Sequence, residues 1–296
     1  MGERGCLVVR LGAIGDTVLT VPALRALRQR HRRLVVVGGA AARALLPPVV
    51  DRVLDVESSV AAGLFLPDPS PASRAELGAF DEAVVWLNEP DVVAQALRRI
   101  GIPRVHAARA RPAGRCHVVD HLLATIGEPP GALVELPVTV DARRRAAARL
   151  SQLGVRPGSV LLAIGAGGVR KRWPAERFAD LADRVDRPVA VLAGPADGEA
   201  LAVFRRLRPT VPVVDGVELA MLPALLSEVT LVVANDSGPG HLAAAVGTSV
   251  VALFGPTEPA VWAPRGRRVS VLYAEDGRMD SLAVADVASA VRRALA

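Results

Sequence analysis

Leu231-Val232-Val233-Ala234-Asn235-Asp236-Ser237-Gly238-Pro239-Gly240-His241 changes periodicity partway along. The apolar run Leu231 to Ala234 predicts a buried strand, and the small-residue run that continues through Ala243, Ala244 and Ala245 predicts a helix over 238–246. A polar, glycine-rich elbow joins the two. An elbow of this kind aims backbone N–H groups, the Ser237 hydroxyl and the His241 imidazole at one point, and a helix N-terminus is a ready anion site. Ser237, Gly238 and the N–H groups after them are candidates to take phosphate oxygens, with His241 one turn further along. Asp236 either meets the ligand or accepts from the elbow's own N–H groups. The competing reading is a tight strand-to-helix turn with a capping histidine.

The same strand–turn–helix unit repeats outward in both directions. Toward the C-terminus come a strand over 250–254, an edge strand over 269–273 and a terminal helix over 282–295. Toward the N-terminus, strands are expected over 211–214, 189–193 and 160–164. Helices over 218–226, 197–207 and 174–185 intervene, the last opening on proline. Pro137 to Asp141 reads as a linker, with Asp141 capping a helix that Gly154 ends. The first half offers strands over 6–11, 34–37, 52–56, 83–87 and 104–107. Its helices are expected over 16–30, 40–46, 91–100 and 117–126, and Pro22 falls near the first turns of helix 16–30, where proline is best tolerated. Gly63 to Ser73 is proline-rich and polar and reads as a loop, either a plain surface connection or the border of an acceptor site. Alternating strands and helices predict mostly parallel sheets covered on both faces. Two doubly wound domains in tandem follow, residues 1–154 and 155–296, with the loops at the strand C-terminal ends lining a cleft. The terminal helix can pack back on the first domain.

Composition fits a globular chain. With 296 residues the protein is too long for one ordinary domain, and 51% apolar residues supply a sizeable core. No apolar run is long enough for a membrane span, and 6–11, interrupted by Arg10 and preceded by Arg4, is too short for a signal-peptide core, so a cytoplasmic location is expected. Cys6 and Cys116 show neither metal-ligand spacing nor disulfide density and read as free thiols. Net charge is +6, and every basic residue but Lys171 is arginine. Few aromatics and no recognition motif argue against nucleic acid. The pairs Arg98-Arg99, Arg205-Arg206 and Arg292-Arg293 read as solvated helix faces. The lone lysine stands out, because a compact ammonium suits phosphate sites where arginine would be the easy substitute.

Three further constellations carry chemistry. Arg10-Leu11-Gly12-Ala13-Ile14-Gly15-Asp16 is a strand end, a Gly12/Gly15 pair and a helix start, resembling a dinucleotide-binding turn without its third glycine. A carboxylate at Asp16 would repel phosphate there; it can cap the helix or serve as general base to a hydroxyl, and the spacing leaves both open. Gly165-Ala166-Gly167-Gly168-Val169-Arg170-Lys171-Arg172-Trp173-Pro174 places Lys171 where an ammonium can reach diphosphate oxygens, with Gly167 and Gly168 letting backbone approach the ligand. It lacks the ending of a Walker loop. The plainer reading is an arginine-rich turn with Trp173 in the core. In Gly194-Pro195-Ala196-Asp197-Gly198-Glu199, Asp197 or Glu199 can bond a ribose hydroxyl or serve only as helix N-terminal acids. His117 and His121 have zinc-like spacing on a helix, but no third ligand presents itself.

In Arg10 to Pro22, in Gly165 to Phe178, and in Ala234 through Phe254-Gly255-Pro256-Thr257, the chain resembles glycosyltransferase family 9, the ADP-heptose:lipopolysaccharide heptosyltransferases and their relatives. The resemblance implies a GT-B architecture, two Rossmann-like domains facing each other across a cleft. It implies metal-independent, inverting transfer of a sugar from a nucleotide-sugar, with no cofactor besides that substrate. Asp16 would then be the general base. Lys171 would hold the donor diphosphate, with Asp236, Ser237, Gly238 and His241 around the same phosphates and Asp197 or Glu199 near the ribose. The acceptor would be a lipid-linked glycan or oligosaccharide at the cytoplasmic membrane face, where the basic surface suits anionic lipid. The chain departs from the family where Ala166, Gly167 and Gly168 replace hydroxyl side chains, and residues 58–78 match nothing in it. A nucleotide-sugar epimerase of the same plan and a non-catalytic nucleotide-sugar-binding protein are the competing functions.

Overall fold

The computed structural model describes residues 5–66 and 68–296. Arg4 and Pro67, which enter the readings of the N-terminus and of the 63–73 loop, lie outside them. The chain divides into two compact units between Ala132 and Leu133.

The first unit holds the parallel strands β1 (Gly5–Arg10), β2 (Arg33–Gly38), β3 (Arg52–Asp55), β4 (Glu82–Leu87) and β5 (Arg104–Arg109), in the spatial order β3-β2-β1-β4-β5. Every residue of β1 and β4 is buried, as expected of strands covered on both faces. On one face Leu7, Val9, Val35, Val37 and Val85 pack with Phe80, Val93 and Leu97.

Three expectations for this unit are corrected. The first helix spans Ile14–Arg30, so Asp16 is its third residue and Pro22 lies in its interior, not its first turns. The 63–73 segment is not a plain loop. It carries a 3-10 turn, Gly63–Phe65, and the start of a helix, Pro71–Leu77, and it follows a short helix, Ser59–Ala62. Both helices are capped by serine: the Ser58 hydroxyl accepts from the Ala61 N–H at 3.3 Å and the Ser70 hydroxyl from the Ser73 N–H at 3.1 Å. His117 caps the helix Val118–Thr125 through Nδ1, which accepts from the Val119 N–H at 3.2 Å.

The second unit holds the parallel strands β6 (Val160–Ala163), β7 (Val189–Leu192), β8 (Val213–Val214), β9 (Leu231–Asn235), β10 (Ser249–Phe254) and β11 (Val269–Tyr273), ordered β11-β10-β9-β6-β7-β8. This is the doubly wound order whose ligand crevice lies where the winding reverses, between β6 and β9. β11 is an edge strand, as expected. The core joins Leu162, Val191, Val233 and Val251 to Trp173, Phe178 and Phe204. Trp173 meets Phe178 edge to face, with centroids 4.9 Å apart.

The boundary falls well before the expected 154/155. Val134 N–H donates to Arg265 O at 3.0 Å and Leu136 N–H to Ala245 O at 2.8 Å, which straps 133–137 onto the second unit. The helix that follows, Val140–Gln152, packs there against Leu222–Ser227. Its cap is Thr139, not Asp141. Gly154 ends it at a φ of +77°, a conformation glycine adopts without strain. The terminal helix Val284–Leu295 buries Val287, Ala288, Ala290 and Val291 in the second unit's own core. No described helix is long and apolar enough to cross a membrane.

Candidate functional site

In the first unit the site begins where β1 ends. Asp16 takes two donors: the Ala13 N–H at 3.1 Å on Oδ2, and Nη2 of Arg10 at 3.0 Å on Oδ1. It therefore caps the helix by reaching back to the residue before it, yet its side chain stays 28% exposed and open to a ligand. Capping and base catalysis are compatible here. Gly12 has a steric reason: a Cβ there would stand 2.5 Å from Cβ of Asp16. Gly15 is the second residue of the helix and half-buried. Arg10, absent from the sequence-derived site, is buried, and its Nε has no partner. Burial lowers its pKa, opposed by the Asp16 charge. A cavity of about 440 Å³ opens beside this turn, at the β1/β4 reversal, lined by Leu11, Phe65, Leu87, Asn88, Glu89 and Val92 among others. A neighbouring one of about 420 Å³ adds Arg109 and Arg111.

In the second unit the loops after β6 and β9 meet, and a buried asparagine joins them. Asn235 Nδ2 donates to Ile164 O at 2.9 Å and Gly165 O at 3.3 Å, while Oδ1 accepts from the Trp173 N–H at 3.0 Å. This anchors both ends of the segment that carries Lys171, the last residue of the 3-10 turn Val169–Lys171. Arg172 holds the same segment to the loop after β7, donating to Ala166 O at 3.2 Å and Ala196 O at 3.3 Å.

Lys171 Nζ donates to Asp236 Oδ2 at 2.6 Å, and the Thr257 hydroxyl donates to the same oxygen at 2.7 Å. His241 Nε2 stands 3.9 Å from Oδ1, too far for a full hydrogen bond. Burial alone would raise the Asp236 carboxyl. The His241, Lys171 and Thr257 side chains outweigh it and hold the group down to about 2. Asp236 is thus an ionised counter-ion, neutralised by an ammonium that is itself one-third exposed. Of the two readings of Asp236, acceptance from the elbow's own N–H groups gives way to bonds from the loops after β6 and β10, whose Lys171 and Thr257 side chains donate to the carboxylate.

Ser237 caps the helix Gly238–Ala245 in backbone position only, and its hydroxyl donates back to Asn235 O at 3.1 Å. His241 is buried with Nδ1 unpartnered. Ammonium, helix N-terminus, hydroxyls and a polar imidazole thus cluster at the β6/β9 reversal, an arrangement suited to a diphosphate.

The remaining candidates divide. A Cβ on Gly167 or Gly168 would meet nothing within 4 Å, so neither glycine is demanded by packing. Gly165 is: its Cβ would lie 2.0 Å from Asp197 Oδ2. Asp197 is buried and turned into its own loop, accepting from the Gly194 N–H at 2.8 Å, with Arg172 Nη2 at 3.8 Å. Glu199 is exposed on the first turn of the helix Gly198–Leu207. His121 Nε2 lies 2.7 Å from Arg109 O, so both histidines of the zinc-like pair are engaged locally. Sequence reasoning missed Asn235, Thr257, Arg172 and Arg10. All four lie inside stretches already quoted, where they carried no assigned role; Asn235 ends the apolar strand β9, where a buried amide has loop backbone to bind.

The model of glycosyltransferase family 9 (heptosyltransferase) matches residues 107–290. Lipopolysaccharide heptosyltransferase 3 of Escherichia coli (strain K12) is 27% identical over 180 residues, which cover 56% of this chain and 52% of that protein. The chain thus spans about half the length of this curated relative. Among solved structures, a glycosyl transferase family 9 protein from Veillonella parvula superposes with a TM-score of 0.82 at 22% identity, covering 100% of this chain and 98% of the other. ADP-heptose lps heptosyltransferase II from E. coli gives 0.79 at 20% identity, covering 98% of both chains. These likenesses show a common GT-B-like fold, two parallel α/β units in one chain.

Proposed function

The chain belongs to glycosyltransferase family 9, and from that premise we propose that it transfers a sugar, heptose from ADP-heptose, to a hydroxyl of a lipopolysaccharide core or related glycan. The observation that carries this reading is the Lys171–Asp236–Thr257 relay beside the helix N-terminus at Gly238 and the unpartnered Nδ1 of His241. A leaving nucleoside diphosphate gathers negative charge in the transition state. A fixed ammonium and oriented N–H groups stabilise that charge without reorganising.

In the proposed step the acceptor hydroxyl attacks the anomeric carbon while the Asp16 carboxylate takes its proton. The bond from that carbon to the diphosphate oxygen breaks, and the electron pair leaves with the diphosphate. Attack opposite the leaving group inverts the centre. Asp197 is committed to its own loop, so the exposed Glu199 is the better candidate for the ribose. On the first unit, apolar Leu11, Phe65 and Val92 beside Arg109 and Arg111 suit an acceptor that is part apolar and part anionic. The net charge of +6 suits a peripheral contact with an anionic membrane face.

The test is a pair of variants. Asp16→Asn should cut turnover by roughly 10²–10⁴-fold with ADP affinity kept. Lys171→Ala should weaken ADP binding about tenfold or more, about 1.4 kcal/mol. Turnover undiminished in Asp16→Asn would remove the base assignment, and unchanged ADP affinity in Lys171→Ala would remove the donor cradle. An epimerase would turn over its nucleotide-sugar without any acceptor; a transferase releases ADP only when the acceptor is present.

A further inference from the structure

The first unit carries a second group of ligating side chains, at the opposite end of its sheet from Asp16. Cys6 is the second residue of β1, Glu82 opens β4, and His31 ends the helix Ile14–Arg30 just before β2. Cys6 and Glu82 are register partners across the β1/β4 pair. We propose that Cys6, His31 and Glu82 form a site for a divalent transition metal of the zinc class, which ties the N-terminal ends of β1 and β4 to the end of that helix.

Geometry and polar bookkeeping support the site. The three residues are buried, and one ligand atom from each lies within 4.8 Å of the others. His31 Nε2 is 3.5 Å from Glu82 Oε2. Tetrahedral zinc with ligands at about 2.0–2.3 Å sets neighbouring ligands about 3.3–3.8 Å apart, so closing the set needs side-chain shifts of roughly an ångström. His31 is 6% exposed, and neither ring nitrogen has a hydrogen-bond partner. A buried imidazole with both nitrogens unpaired is costly, and a metal would satisfy one of them. Sulfur, nitrogen and oxygen donors together suit zinc or cobalt better than magnesium or calcium. Arg104 Nε donates to Glu82 Oε2 at 3.1 Å and would orient the carboxylate, and His106 Nε2 stands 3.4 Å from Oε1 on the other side of the carboxylate.

Binding requires no redox partner. The Cys6 S–H bond breaks, sulfur bonds the metal, and the proton leaves to solvent. The three ligands lie far apart in sequence, so no motif announces them. At the N-terminal strand ends they sit away from Asp16, and the role inferred is structural.

Cobalt(II) is the probe, refolded with the full-length Cys116→Ser protein. Cys6 is then the sole thiol. The expected result is one equivalent of cobalt per chain, a near-ultraviolet thiolate-to-cobalt charge-transfer band and visible bands of tetrahedral intensity. Zinc should bleach both. Adding Cys6→Ser should abolish the charge-transfer band, and His31→Gln should weaken cobalt binding at least about tenfold. Absence of the band from the well-folded Cys116→Ser protein would overturn the proposal, leaving an ionic network of His31, Glu82, Arg104 and His106. Because that spectrum needs no ligand variant, a misfolded Cys6 variant cannot obscure the answer.

Discussion

A carboxylate at the mouth of an anion cradle would repel its ligand, and Asp236 escapes this conflict through its partners. Lys171 and Thr257 both donate to one oxygen, and the imidazole of His241 stands near the other. The ammonium cancels the charge and keeps an exposed side. Gly165 illustrates the same economy of space: it is glycine because Asp197 fills the volume a side chain would need. The Asp236 partners also set a pH dependence. The folded carboxyl is depressed to about 2, below an unfolded value near 3.9. Its contribution is therefore complete above about pH 4 and is lost as pH falls toward 2, on the order of 2 kcal/mol. Urea titrations across that range should show the wild-type protein losing more stability than Asp236→Asn. Parallel acid limbs in the two proteins would mean that the carboxyl is not depressed in the folded state.

At the scale of elements, the donor loop owes its shape to a neighbouring strand. The segment from Ile164 to Trp173 contains one short 3-10 turn, and its ends are held by the side chain of Asn235 on β9. Asn235→Ala leaves a buried N–H and two carbonyls without these bonds, at about 1–3 kcal/mol for each group left unsatisfied. The expected outcome is a lower thermal midpoint together with faster hydrogen exchange of the Trp173 N–H. A melt and an exchange rate equal to wild type would show that the loop holds its shape without the clamp. Elements were legible in proportion to their apolar patterning. The all-buried strands β1, β4, β9 and β10 lie where hydrophobic runs placed them. Residues 58–78 were harder, because their helices, Ser59–Ala62 and Pro71–Leu77, are too short to show a helical period, although Ser58 and Ser70-Pro71 are ordinary start signals. The start of the first helix was misplaced because Ile14 and Gly15 carry no cap signal and Asp16 does, from inside the helix.

At the scale of the whole molecule, each unit has a sheet and a hydrophobic core of its own. The basic surplus is spread over the surface: Arg98, Arg99, Arg205, Arg206, Arg292 and Arg293 are all exposed on helices, as their pairing suggested. The strap at 133–137 and the terminal helix both belong to the second unit, which makes residues 133–296 self-contained. Expressed alone, that segment should unfold cooperatively and bind ADP within about 1 kcal/mol of the full chain, roughly fivefold in affinity. A folded segment that does not bind ADP would count against assigning the donor cradle to this unit alone.

Periodicity and turn chemistry, both local properties, were sufficient for the α/β class, the two parallel sheets and the positions of Asp16, Lys171 and His241 at strand-to-helix turns. They act between residues near in sequence, so they can be read along the chain. Tertiary structure alone decided that Asn235 clamps the donor loop, that Asp236 pairs with Lys171 and Thr257, that Asp197 faces Gly165, and that Cys6, His31 and Glu82 converge. Each of these depends on which strands become neighbours in a sheet. That order follows from how helices cover the two faces of the whole sheet, which no local stretch of sequence records.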